Sequence, residues 1–147
     1  MKTYFKRLRT PLIALALTCL AGCFQTKNEN EVTFLIKTTK DTNQGTPLYV
    51  VLKETNMAEF LTQDYHEIAA QSFWKEEDAA GAVKMVLVPG STNKIILPAP
   101  GKDKSVGVYF LFTNPGESWK YILDKPKAEK VKILLGEREY ESVNVFE

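Results

Sequence analysis

Ser105-Val106-Gly107-Val108-Tyr109-Phe110-Leu111-Phe112-Thr113 carries the strongest strand signal in the chain. Val106, Val108, Phe110 and Phe112 alternate onto one face, Tyr109 and Leu111 onto the other. Side chains two apart share a face of a strand, so a run apolar on both faces must be covered on both. This stretch therefore predicts a central strand, and its neighbours read as partners for it.

On its C-terminal side, Asn114-Pro115-Gly116 places Pro and Gly at the central positions of a type II turn. Trp119–Leu123 is short and apolar, a strand or a helical turn. Val131–Leu135 and Glu139–Phe146 are strand candidates around Gly136-Glu137, which fits a two-residue hairpin. On the N-terminal side, Pro98–Lys104 is turn-rich, and Lys94–Leu97 and Val83–Val88 are strands joined through Pro89-Gly90.

Further upstream the period changes. Met57, Phe60, Leu61, Tyr65, Ile68, Ala69 and Phe73 recur at helical spacing and predict one apolar helix face. Asn56 with Glu59, and Asp64 with Glu67, have the spacing of capping boxes, so Met57–Glu76 reads as two short helices or one bent one. Before it, Pro47 opens a strand Leu48-Tyr49-Val50-Val51-Leu52, apolar enough to be covered on both sides. Val32-Thr33-Phe34-Leu35-Ile36-Lys37 is the first strand, with Val32, Phe34 and Ile36 on its inner face. Between these two lies Thr38–Thr46, a loop of polar residues and glycine, longer than a tight hairpin needs. Short strands with Pro/Gly turns and one helical insertion after the second strand predict a mainly β, two-layer β-sandwich, with a closed barrel as the alternative.

The extreme N-terminus has a different character. Lys2, Lys6, Arg7 and Arg9 precede an apolar run ending Leu20-Ala21-Gly22-Cys23. A basic head, a short apolar core and a small-residue cleavage site make a secretory signal peptide, and the run is too short to span a bilayer. The final tetrapeptide looks like a bacterial lipobox, which makes Cys23 the lipidated first residue of a mature chain. The expected organisation is signal peptide 1–22, lipidated cysteine and tether 23–31, and β-sandwich 32–147. Phe24 stands where an inner-membrane retention signal would carry Asp, so the outer membrane is the expected location, with the domain facing the periplasm.

Removing the signal takes four of the 19 lysines and arginines, leaving 15 against 18 acids, so the formal charge turns from +1 to −3. A basic surplus for nucleic acid is then absent. Cys19 leaves with the signal and Cys23 is used by the lipid, so no thiol remains for a disulfide or metal site.

The search for chemistry gives little. His66 is the single histidine and falls on the predicted helix, where an exposed role outweighs a catalytic one. No Gly-x-Ser-x-Gly elbow or phosphate-binding glycine loop is present. Glu76-Glu77-Asp78 lacks the alternation of a calcium loop. The sequence thus predicts no catalytic residues, no metal, no cofactor beyond the covalent lipid on Cys23, and no small-molecule substrate. A lipid-anchored module for a glycan or peptide is the alternative, and it requires an exposed aromatic groove that includes Trp74. A hydrolase would require His66 beside a serine or carboxylate.

One resemblance organises these pieces. The lipobox, a strand, a polar loop ending Gly45-Thr46-Pro47, Leu48–Lys53 leading into Met57-Ala58-Glu59-Phe60-Leu61, then Leu87-Val88-Pro89-Gly90, Val106–Phe112 and Trp119-Lys120 occur in the order of the type VI secretion system outer-membrane lipoproteins. That resemblance implies a transthyretin-like sandwich. It also implies a protein partner, the periplasmic domain of an inner-membrane secretion-complex protein, held by the loop between the first two strands. The matching positions are Thr39, Lys40, Asp41, Thr42, Asn43, Gln44, Gly45 and Thr46. Two positions depart from the family: Thr113 stands where an arginine is frequent, and Asp41-Thr42-Asn43 where an Asn-Pro is frequent.

Overall fold

The computed structural model describes residues 30–74, 82–127 and 129–146, without the side chains of Phe73 and Trp74. The signal peptide, Cys23, the tether up to residue 29, the Glu76–Asp78 cluster and the Trp74 side chain lie outside the described residues.

Alternation of apolar residues builds the first sheet. In β1 (Glu31–Thr38), Val32, Phe34 and Ile36 are fully buried, as their shared parity requires. This strand pairs antiparallel with β4 (Thr92–Pro98) and parallel with β7 (Lys130–Leu135), whose Val131, Ile133 and Leu135 face the same interior. The outer neighbour of β7 is β8 (Tyr140–Phe146), giving the order β4-β1-β7-β8, called sheet A below. Sheet B has the order β3-β2-β5-β6, from β2 (Leu48–Thr55), β3 (Val83–Leu87), β5 (Ser105–Leu111) and β6 (Lys120–Leu123). Two separate sheets make this the expected sandwich and not the barrel.

The main core is shared by the inward sides of both sheets, with Phe34, Ile36, Val50, Leu52, Phe110 and Phe112 among its buried members. β5 is an interior strand and is buried at every residue, because its outer side is covered as well. The cover is the helical insertion, formed as two helices, α1 (Met57–Thr62) and α2 (Tyr65–Trp74). Phe60 and Ile68 pack on Val51, Tyr109 and Leu111 to make a second, smaller core. Gly107 leaves room for it: a Cβ there would come within 2.5 Å of Tyr109 Oη.

The α1 cap follows the sequence, with Glu59 N–H donating to Asn56 Oδ1 at 2.9 Å. The second cap is shifted, because the Asp64 carboxylate accepts from His66 N–H at 2.8 Å, one residue short of Glu67. Lys120 fastens the corner between the helices by donating from Nζ to Phe60 O at 2.6 Å and Gln63 O at 2.9 Å.

Three local expectations are corrected. Met57 and Leu61, placed on the apolar helix face, are 44 % and 68 % exposed. With the chain breaking direction at Gln63, α1 has room on the sheet for Phe60 alone. Gly116 lacks the positive φ of a type II turn. The 113–119 segment is shaped by bonds to the β7–β8 connection instead: Gly116 N–H to Arg138 O (2.7 Å), Ser118 N–H to Glu139 Oε2 (3.0 Å), and Arg138 Nη2 to Asn114 Oδ1 (3.0 Å). That connection is not the two-residue hairpin. Leu135 pairs with Tyr140, the register shifts at Leu134/Leu135, Gly136 has no positive φ, and Gly136 N–H donates to Glu139 O at 2.9 Å.

Candidate functional site

The connection from β1 to β2 is polar apart from Gly45 and Pro47, yet it is an ordered turn. Asn43, Gln44 and Gly45 have φ of 51°, 56° and 75°, three successive residues in the left-handed region. Asn and Gly enter that region at least cost, and Gln44 is held there by its neighbours. The turn is closed by Gln44 N–H to Asp41 O (3.0 Å) and Thr46 N–H to Asn43 O (3.1 Å).

Two side chains fix it. Thr42 is fully buried; its hydroxyl donates to Leu135 O at 2.9 Å and accepts from Thr39 N–H at 2.8 Å. Asn43 is 3 % exposed. Its amide group donates to Thr46 Oγ1 at 2.9 Å and Pro47 O at 3.0 Å, and its Oδ1 accepts from Thr113 N–H at 2.7 Å. The Asn43 N–H reaches Glu137 O at 2.8 Å. At the loop's entrance, the Thr38 hydroxyl donates to Val88 O at 2.8 Å, and Gly90 N–H donates to Thr39 O at 2.9 Å. The loop is thereby tied to the β3–β4 turn, the segment after β5 and the β7–β8 connection.

This divides the eight expected binding residues. Lys40, Asp41, Gln44, Gly45 and Thr46 are exposed and Thr39 is half-buried. Thr42 and Asn43 are corrected from surface residues to internal ones, since their polar atoms are used within the chain. The structure also brings exposed Val88, Thr113 and Arg138 to this end of the sandwich, a grouping the sequence alone did not reveal. Thr113, which departs from the family pattern, meets the loop through its backbone N–H, a group any non-proline residue supplies.

The other candidate residues lie elsewhere. His66 is exposed on α2, its ring edge-on to Tyr65 at 5.7 Å. Among the described residues no cluster of His, Cys, Asp and Glu has metal-binding geometry. Trp119 packs on Tyr65 at 5.0 Å and Tyr109 at 6.1 Å, beneath the helices and not along a groove. Burial raises the phenol of Tyr109 to about 12 and those of Tyr65 and Tyr121 above their ordinary value. Burial also lowers Lys120, against an opposing pull from Asp64.

Architecture and site together define a β-sandwich that presents a prestructured loop at one end. The chain belongs to the IglE N-terminal-domain family, whose model matches residues 49–135, more than half of its length. Its fold is shared with the type VI secretion lipoprotein TssJ1 of Pseudomonas aeruginosa, at TM-score 0.63 and 20 % identity over 81 % of this chain and 98 % of that one. Serratia marcescens Lip, a membrane-bound component of the type VI secretion system, aligns at TM-score 0.62 and 18 % identity, over 81 % and 99 %. A chain in a structure described as the T6SS protein TssM C-terminal domain from EAEC aligns at 0.58 and 14 % identity, over 80 % and 98 %. No curated protein sequence matches significantly. The resemblance to type VI secretion lipoproteins read from the sequence is borne out.

Proposed function

We propose that this protein is a structural adaptor of a type VI-like trans-envelope secretion complex. A lipid on Cys23 anchors it to the outer membrane, and the Thr39–Thr46 loop holds the periplasmic domain of an inner-membrane partner. It performs no catalytic step. The observation that carries this reading is the fixed loop. A flexible segment loses conformational freedom when it binds, whereas Thr42 and Asn43 already hold this one in shape, so less is lost on capture. Position supports it too. Asn30 and Thr39 lie at opposite ends of β1, so the loop starts a full strand length away from Asn30. Anchoring raises the effective concentration of the loop for any partner spanning the periplasm.

The test is capture of the partner's periplasmic domain by the Lys40→Ala/Asp41→Ala/Gln44→Ala variant. The expected result is lost capture with an unchanged unfolding midpoint, since these side chains are exposed. Unchanged capture would move the binding surface elsewhere. Cys23→Ser should abolish acyl labelling and release the chain from membranes; persistent labelling would end the lipoprotein reading. The glycan or peptide alternative gains nothing from Trp119, which is packed under the helices.

A further inference from the structure

The two outer faces of the sandwich differ in cover and in charge. Sheet B is covered by α1 and α2, whose stretch 56–74 contains Glu59, Asp64 and Glu67 and neither lysine nor arginine. Among the described residues, no helix covers the outer face of sheet A. The strand registers lay that face out in three rows that cross all four strands, with Glu31 opposite Pro98 beyond them. Ile96 and Phe146 flank one row with Lys130 within it, the next holds Lys94 and Lys132, and the last holds Lys37. The outward positions are alternate residues of 31–37, 92–98, 130–134 and 142–146, and half-buried Glu31, at the start of β1, is the one acid among them. All four lysines are exposed, as are Ile96 (48 %) and Phe146 (44 %), and Lys132 Nζ lies 4.8 Å from the centre of the Phe146 ring. A chain whose formal charge from Cys23 onward is −3 thus carries a face with four lysines against one acid, Glu31, and with apolar residues at both edges, opposite an acidic helical face.

We infer that the outer face of sheet A is a membrane-docking surface that lays the sandwich against the anionic phospholipid headgroups of the leaflet holding its lipid. The inference rests on the anchor at Cys23. Chain length permits it: the residues from Phe24 to the start of β1 reach at most about 26 Å when extended. The eight-residue strand is itself about 26 Å long, so the lipid can enter the bilayer beneath any part of this face. Charge selects the orientation, because an anionic surface attracts the lysine face and repels the acidic helices. Lysine stems and the two apolar edge side chains suit the headgroup boundary, where apolar bodies and charged tips are both accommodated. In this posture the Thr39–Thr46 loop points along the membrane plane.

The test uses the processed, acylated chain beginning at Cys23, in phosphatidylcholine vesicles and in vesicles with about 30 % phosphatidylglycerol. A single thiol is introduced as Asn144→Cys within the face or as Asp41→Cys in the loop, and labelled with a fluorophore. The expected result is that the Asn144→Cys label is shielded from aqueous acrylamide in the anionic vesicles only. Shielding should vanish near about 1 M salt, where the screening length is about 3 Å. It should also vanish in the Lys94→Gln/Lys130→Gln/Lys132→Gln variant, while the Asp41→Cys label stays exposed throughout. Equal exposure of the Asn144→Cys label in both vesicles would overturn the inference, as would shielding that appears only when the periplasmic partner is added. The anchor is checked apart from this. A chain that fails to float with neutral vesicles lacks the lipid, and its flotation with anionic vesicles then decides the face. Binding weakened on the order of a hundredfold by the triple substitution supports docking. Absent flotation, or flotation that the triple substitution leaves unchanged, overturns it.

Discussion

The two connections that leave β2 invert what their compositions suggest. The Thr39–Thr46 loop has no apolar side chain, yet Thr42 and Asn43 are as buried as core residues. The helical insertion has an apolar face, yet Met57 and Leu61 are turned to solvent. Polarity alone does not place a residue at the surface. A polar side chain can be buried when every donor and acceptor finds a partner, as the Thr42 hydroxyl and Asn43 amide do. An apolar one is buried only if the geometry gives it room, and α1 is six residues long before the chain turns at Gln63.

Breaking the loop's internal bonds should have the largest effect. Asn43→Ala removes the acceptor for Thr113 N–H and the donors to Thr46 and Pro47, and puts a less tolerant residue at φ 51°. A loss of about 3 kcal/mol in urea unfolding is expected. A loss below about 1 kcal/mol would mean that the loop is not held from within.

The insertion gives the intermediate effect, with a pH signature. Tyr109 donates its hydroxyl to Gln63 Oε1, joining sheet B to the α1–α2 corner, so Tyr109→Phe should cost about 1 kcal/mol at neutral pH. Burial lifts this phenol from 10.0 to about 12, so the folded state keeps a proton that the unfolded chain gives up first. The stability this provides is complete below about pH 10 and is lost as pH rises towards about 12. Tyr65 and Tyr121 are shifted in the same direction and add to the decline. Unfolding midpoints measured across that interval should fall in the wild type and fall less steeply in Tyr109→Phe. Parallel slopes would remove Tyr109 from the alkaline transition.

Leu61→Ser should have the smallest effect. With Leu61 68 % exposed, a change within about 0.5 kcal/mol is expected. A larger loss would show that α1 is more deeply seated than its exposure indicates, and would narrow the contrast with the loop.

Particular residues show how far the sequence alone could be read. Strand parity made Val32, Phe34 and Ile36 an inward row and β5 a doubly covered strand, because side-chain alternation is a local property. The cap at Asn56 and the helical period of the insertion are local too. What escaped was what depends on segments far apart in the chain. The parallel pairing of β1 with β7 joins residues almost a hundred positions apart. Gly116 and Gly136 stand in turn-like sequences, but bonds among Gly116, Ser118, Arg138 and Glu139 set their backbone.

The candidate site divides along the same line. The position of the loop after the first strand followed from composition, and the role proposed for it came from the resemblance alone. Its rigidity did not follow, because the partners of Thr42 and Asn43 are backbone groups of Leu135 and Thr113, which sequence patterns do not mark. By itself the sequence determined the two-layer β class, the inward faces, the lack of any cysteine after Cys23 and the family likeness, since these depend on local periodicity and composition. Only the tertiary structure decided which polar residues are buried, which apolar ones are not, and that four lysines from three strands share one face with a single acid, Glu31, because each depends on register between strands distant in sequence.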